Sequence, residues 1–133
     1  MTTSRLKILL AEDDKTNAIL ASAILESSGH EAMVAADGEK AVLLATRHWF
    51  DLILMDLEMP VFDGLEATRR IRAAPPPARD IPIIGLSAHD DPAIERQCLA
   101  AGMNAYVCKP LSRASLLEAL DKAVRAAARR RSM

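Results

Sequence analysis

Leu52-Ile53-Leu54-Met55-Asp56 sets four apolar residues directly before an acid, and the chain then runs through Leu57-Glu58-Met59-Pro60-Val61-Phe62-Asp63-Gly64. An apolar run without polar alternation suits a strand buried on both faces of a parallel sheet, with Asp56 at its carboxyl end. Open α/β sheets bind their ligands at that edge. Met59-Pro60 forces an extended exit, and Asp63 can cap a helix that begins at Gly64. A lone Asp in such a place is ordinarily a loop acid facing water. The neighbouring strands change that reading.

Leu6 to Ala11 is nearly all apolar and ends at Glu12-Asp13-Asp14, a second strand delivering acids to its carboxyl end. Asp14 can cap the following helix, with Leu20, Ala21, Ile24 and Leu25 as its core stripe and Gly29 as a left-handed stop. Capping leaves Glu12 and Asp13 unexplained. Ile19 and Ala23 fall beside the stripe, so an apolar strip is expected to stay exposed near the acids, either as ordinary helix flank or as a docking surface.

The remaining elements repeat the alternation. Ala32 to Ala36 reads as a strand, and Asp37-Gly38 opens a helix whose Ala41, Val42, Leu44 and Ala45 face inward. Asp63 with Glu66 resembles a capping box for a helix reaching Ala74, after which Pro75-Pro76-Pro77 favours an extended polyproline spacer on the surface. Ile81 to Leu86 is a strand with Pro82 near its start, ending in Ser87-Ala88-His89. Asp91-Pro92 opens a helix packed through Ile94, Cys98, Leu99 and Ala101 and closed by Gly102. Ala105 to Cys108 is the last strand and ends in Lys109-Pro110. Ser112 caps a final helix with Leu116, Leu117, Leu120 and Val124 inward, and Arg125, Arg129, Arg130 and Arg131 suit its negative end.

Five strand-helix alternations imply a doubly wound parallel sheet, and right-handed crossovers bring every strand's carboxyl end to one edge. That edge collects Glu12, Asp13, Asp56, Ser87 and Lys109. Three crowded carboxylates repel one another unless a cation neutralises them, and an oxygen-only ligand set favours Mg²⁺. With a lysine and a hydroxyl alongside, the set is equipped for phosphoryl transfer, with Asp56 as the nucleophile that forms an acyl phosphate.

At 133 residues, 50% of them apolar, the chain is expected to be one domain that folds without disulfide or structural metal. A net charge of -1 gives no whole-molecule field for nucleic acid or anionic lipid, so neither is expected as a partner. Cys98 and Cys108 lack metal or redox spacing and read as reduced core thiols. With no signal core and no apolar run of membrane length, the expected location is cytoplasmic.

Taken together, Ile8-Leu9-Leu10-Ala11-Glu12-Asp13-Asp14, Met55-Asp56 through Gly64, Leu86-Ser87-Ala88 and Tyr106-Val107-Cys108-Lys109-Pro110 resemble a two-component response-regulator receiver domain, in particular the receivers attached to hybrid histidine kinases. The resemblance covers roughly Lys7 to Val124. It implies one receiver domain over 1–133, with a core at about 6–124 and a basic helix end at 125–133. The implied fold is flavodoxin-like, with strand order 2-1-3-4-5 and five helices. The resemblance also implies roles. Asp56 takes a phosphoryl group from a histidine kinase or histidine phosphotransfer protein. Asp13, Asp56 and the Glu58 main-chain carbonyl hold Mg²⁺, and Glu12 acts through metal-bound water. Ser87 and Lys109 hold phosphoryl oxygens, Lys109-Pro110 is cis, and Tyr106 rotates inward with Ser87 to change the surface read by a downstream protein partner. Such a domain is no enzyme beyond promoting its own phosphorylation and dephosphorylation.

Three positions depart from the commonest family pattern. Ser87 stands for threonine, Asp14 for asparagine, and Phe62 for methionine, the last being a lid, a partner contact or loop packing. Among rivals, a haloacid-dehalogenase-type phosphatase needs Asp-x-Asp after its first strand, which Asp56-Leu57-Glu58 on the third does not supply. A flavodoxin would find its phosphate repelled by Glu12-Asp13. The serious alternative is a receiver-like protein-binding scaffold that works without phosphorylation.

Overall fold

The computed structural model describes residues 5–131, with side chains described for 5–127. Strands β1 (Lys7–Ala11), β2 (Glu31–Ala35), β3 (Leu52–Asp56), β4 (Ile83–Ser87) and β5 (Ala105–Cys108) alternate with helices α1 (Lys15–Ser27), α2 (Gly38–Arg47), α3 (Gly64–Arg72), α4 (Pro92–Ala101) and α5 (Arg113–Arg131). The strands form one parallel sheet in the order 2-1-3-4-5.

The two-residue period of a strand divides the core into two halves. Leu9, Ile53, Met55 and Ile83 point to one face, where Ala41 and Ala45 of α2, Ala67 and Ile71 of α3 and Cys98 of α4 cover them. Ile8, Leu10, Leu54 and Ile84 point to the other, against Ala21 and Leu25 of α1 and Leu116, Ala119 and Leu120 of α5. β3 is buried along its whole length, as its unbroken apolar run requires.

Local signals act where the sequence puts them. Asp14, Asp37, Asp63 and Asp91 accept from backbone N–H groups in the first turns of α1 to α4. Ser112 and Ser115 cap α5 reciprocally: the Ser115 N–H donates to Ser112 Oγ at 3.2 Å and the Ser112 N–H to Ser115 Oγ at 2.8 Å. Gly29 and Gly102, with φ of 93° and 111°, provide the expected left-handed stops. Both cysteines are free, with Cys98 buried and Cys108 partly so.

Several packing expectations are corrected. Leu20, Leu99, Leu117 and Val124 are each about half exposed, and Ala18, Ala119 and Ala123 occupy core positions instead. The strict helical spacing of α1, Ala18-Ala21-Leu25, and of α5, Leu116-Ala119-Leu120-Ala123, selects small residues that let each helix approach the sheet closely. Size is a poorer guide than phase. α3 stops at Arg72 rather than Ala74, and β4 starts at Ile83, after Pro82. Glu66 does not close a capping box but turns both carboxylate oxygens to Arg69 and Arg70. Pro75-Pro76-Pro77 is no extended spacer: Pro76-Pro77 is cis and Pro77 enters a 3-10 turn at Ala78–Asp80. Arg129, Arg130 and Arg131 lie outside the residues whose side chains are described.

Candidate functional site

Parallel register carries the carboxyl ends of β1, β3, β4 and β5 to one edge, pairing Ala11 with Met55, Asp56 with Leu86 and Ser87 with Cys108. The groups at and just past those ends therefore meet. Glu12 and Asp56 are buried while Asp13 is exposed, and one carboxylate oxygen from each lies within 4.8 Å of the others. Lys109, whose own N–H donates to the Ser87 carbonyl at 2.6 Å, leaves β5 with its Nζ 2.8 Å from Asp56 Oδ2 and 3.3 Å from Glu12 Oε1. Asp56 Oδ1 accepts from the Glu58 N–H at 3.1 Å, so both oxygens of the acid are held.

Glu12 is the electrostatically costly member. Its Oε2 accepts from the Asp14 N–H at 3.1 Å, but Oε1 is shielded from water and has no hydrogen-bond partner. The Lys109 ammonium at 3.3 Å meets Oε1 as a charge contact without hydrogen-bond geometry. Burial raises the Glu12 pKa from 4.5 to about 7, with the Asp14 N–H opposing the shift and the Asp56 charge reinforcing it. Burial also disfavours the Lys109 charge, but Asp56 and Glu12 outweigh that and push its pKa up. An orphaned buried carboxylate oxygen beside two further carboxylates is the donor set of a hard divalent cation. The residues present fit Mg²⁺.

Ser87 is buried at the end of β4, where its Oγ accepts from the His89 N–H at 3.0 Å and lies 3.2 Å from the His89 carbonyl. Its hydroxyl is thus engaged by its own loop. Tyr106, half-buried on β5, donates its hydroxyl to Asp90 Oδ1 at 3.1 Å, and its carbonyl accepts from Lys122 Nζ at 2.9 Å. Burial and then the Asp90 bond raise the phenol pKa. Asp90 was not singled out in the sequence, where it reads as one more polar residue before the Asp91 cap.

Glu58 turns its side chain to solvent beside this cluster. Lys109-Pro110 is cis. Asp14 acts as a plain cap, accepting from the Asn17 N–H at 2.9 Å. Phe62 packs from its loop against the α2-α3 half of the core, with the Arg70 guanidinium 4.1 Å above its ring. Ile19 is 71% exposed and Ala23 is exposed beside it, on a groove of about 550 Å³ lined also by Lys15, Ala18, Ser22, Glu26 and Val34. A further groove of about 590 Å³, lined by Trp49, Pro76, Pro77 and Pro82, lies at the amino ends of the strands and holds none of the site residues.

Residues 8–121 match the response regulator receiver domain family. The chain is 36% identical over 118 residues to the sensor protein GacS of Pseudomonas syringae pv. syringae, covering 87% of this chain and 13% of that protein. It is 36% identical over 111 residues to the CAI-1 autoinducer sensor kinase/phosphatase CqsS of Vibrio cholerae, covering 84% and 16%. It therefore spans about a sixth or less of the length of those relatives. Among solved structures, the receiver domain of sensor histidine kinase PA1611 from Pseudomonas aeruginosa, which has a magnesium ion coordinated in its active-site cleft, superposes with a TM-score of 0.80 at 43% identity. That match covers 90% of this chain and 97% of the other. The chemotaxis response regulator CheY4 of Vibrio cholerae gives a TM-score of 0.83 at 28% identity, covering 90% and 99%. With the sheet order, the carboxylate cluster and the matched residues in agreement, the chain belongs to the response-regulator receiver family of two-component systems.

Proposed function

We propose that Asp56 is the phosphoacceptor of a two-component phosphorelay, taking its phosphoryl group from a phosphohistidine on a histidine kinase or histidine phosphotransfer protein. The observation that carries this reading is the convergence of Glu12, Asp13 and Asp56 with Lys109 at 2.8 Å from the central acid. In the transfer, an Asp56 carboxylate oxygen attacks phosphorus, the phosphorus–nitrogen bond breaks, and the imidazole leaves with the electron pair. Asp13, Asp56 and the Glu58 carbonyl would hold Mg²⁺ directly, with Glu12 acting through water on the metal. When bound, the ion neutralises charge on the phosphoryl oxygens. Lys109 supplies the fixed cation on the other side of Asp56, and Ser87 can exchange its His89 bonds for a phosphoryl oxygen. The protein turns over no external substrate in this reading, and its output passes through a downstream protein that reads the Ser87-Tyr106 surface.

Incubation with acetyl phosphate and Mg²⁺, read by intact mass, tests it. A gain of one phosphoryl group, lost in Asp56→Asn and on removing Mg²⁺, is expected. No gain in the unsubstituted chain would favour a scaffold that binds partners without phosphorylation.

A further inference from the structure

The loop between β3 and α3 is anchored from two sides. On the α3 side, the Gly64 N–H donates to the Leu57 carbonyl at 3.0 Å, and a Cβ on Gly64 would overlap the Asp56 carbonyl oxygen. On the far side stands α2. The Gly38 N–H faces the Pro60 carbonyl at 3.3 Å, and a Cβ on Gly38 would overlap the Phe62 carbonyl oxygen and stand 2.9 Å from its ring. Gly38 has no left-handed φ, so glycine is needed there for space rather than for backbone freedom. Between the two anchors, Val61 is held at φ 71°, a region that a β-branched residue rarely enters, with its side chain 68% exposed. A strained residue whose side chain packs on little persists only where its surroundings over-determine it.

We infer that Gly38, on α2 and outside the carboxylate cluster, is a positioning residue for the metal site: it seats the Pro60-Phe62 segment and thereby fixes the Glu58 carbonyl two residues earlier. The inference rests on the receiver reading, in which that carbonyl is a metal ligand. α2 is the stiffer partner in the contact. Asp37 caps it through the Lys40 N–H at 2.7 Å, Ala41 and Ala45 are fully buried beneath it, and the end of β2 that leads into it is bonded to the Glu12 N–H at 2.9 Å. The methyl would meet Phe62, which is only partly buried, and Pro60 and Val61 before it are exposed, so an added methyl at Gly38 displaces the loop and not the helix. Glu58 then moves relative to Asp56, whose Oδ1 its N–H holds at 3.1 Å.

The experiment compares Mg²⁺ affinity by calorimetry and the amide resonances of 57–62 in the unsubstituted chain, Gly38→Ala and Gly29→Ala. Gly29 has φ 93° with open space around it, so Gly29→Ala strains the backbone far from the loop and serves as a destabilised control. Gly38→Ala is expected to weaken Mg²⁺ binding about tenfold or more, the usual scale for a group that orients a ligand. It should shift the loop amides, while Gly29→Ala loses stability at unchanged affinity. Val61→Gly in the Gly38→Ala background should recover part of the affinity, because a kink free of Cβ can absorb the displacement. That double variant carries the comparison should Gly38→Ala alone not fold. Equal affinities in Gly38→Ala and the unsubstituted chain would overturn the positioning role and leave the receiver reading intact. Absence of Mg²⁺ binding by the unsubstituted chain would overturn both.

Discussion

The Tyr106 hydroxyl donates to the Asp90 carboxylate at 3.1 Å, tying the ring of β5 to the loop that follows β4. That loop also engages Ser87 through His89, so the two proposed switch residues are restrained by adjacent members of one segment. Asp90→Ala should lower the phenol pKa toward its ordinary value, since the Asp90 bond and charge both raise it. The single tyrosine makes ultraviolet titration specific. An unmoved titration midpoint would show that the bond does not persist in solution.

Phosphorylation should be read out through the same loop. Ser87 can gain a phosphoryl contact only when the group is present, which is the differential interaction a population shift needs. Ser87→Ala should keep Mg²⁺ binding but blunt the phosphorylation-dependent amide shifts in β5 and α5. Full-sized shifts in the variant would remove Ser87 from the switch. Serine lacks the methyl that threonine would use to push the ring, so a mixed Tyr106 population is expected even in the phosphorylated protein.

Glu12 makes stability depend on pH in a way the metal should cancel. Its folded pKa of about 7 exceeds the ordinary 4.5, so the folded chain holds a proton that the unfolded chain has released. The contribution is fully present below 4.5 and is lost as pH rises to about 7. Melting temperature without metal should therefore fall across that interval, less so in Glu12→Gln, and saturating Mg²⁺ should flatten the fall. An identical slope in Glu12→Gln would assign the dependence to another group.

His30 works in the opposite direction. Its Nδ1 accepts from the Leu6 N–H at 3.1 Å, and burial lowers its pKa below 6.5. Its contribution is present above 6.5 and is lost as pH falls through the lowered value. His30→Gln should weaken the acid-side loss of stability without touching Mg²⁺ affinity.

Donor docking should separate from chemistry. Ile19→Glu places a charge on the exposed apolar strip of α1 and should slow transfer from a phosphohistidine partner while acetyl phosphate labelling continues. Equal slowing of both donors would mean the substitution merely damages the fold.

The parallel sheet and the acids at its edge were legible because they depend on local patterns, apolar runs for the strands and abrupt polarity at their ends, whereas the strand order came only with the family resemblance. Glu12, Asp13, Asp56, Ser87 and Lys109 all lie where the strands deliver them. Which helical residues are buried was less legible. Ala18 and Ala119 displace Leu20 and Leu117 from the core because close approach of a helix to the sheet rewards small side chains at the right phase, which a search for the largest apolar residues passes over. The Asp90-Tyr106 bond and the seat of Phe62 on Gly38 were invisible for a different reason. Each joins segments far apart in the chain, and neither residue type announces its partner. A glycine in the first turn of α2, directly after its cap, was the one signal available for the second.

Strand order has a consequence for how the carboxylate site can be lost. Asp13, Asp56, Ser87 and Lys109 stand at or just past the ends of four different strands, and β1 and β3, which carry the acids, lie side by side only because the chain has crossed over twice. The shortest stretch that holds the whole site runs from Glu12 to Lys109, and melting any of β1, β3, β4 or β5 dismantles it, while the edge strand β2 carries none of its members. In the proposed role, phosphoacceptance then requires the folded domain, and the fraction of molecules able to accept a phosphoryl group should track the fraction folded point by point through a denaturant titration.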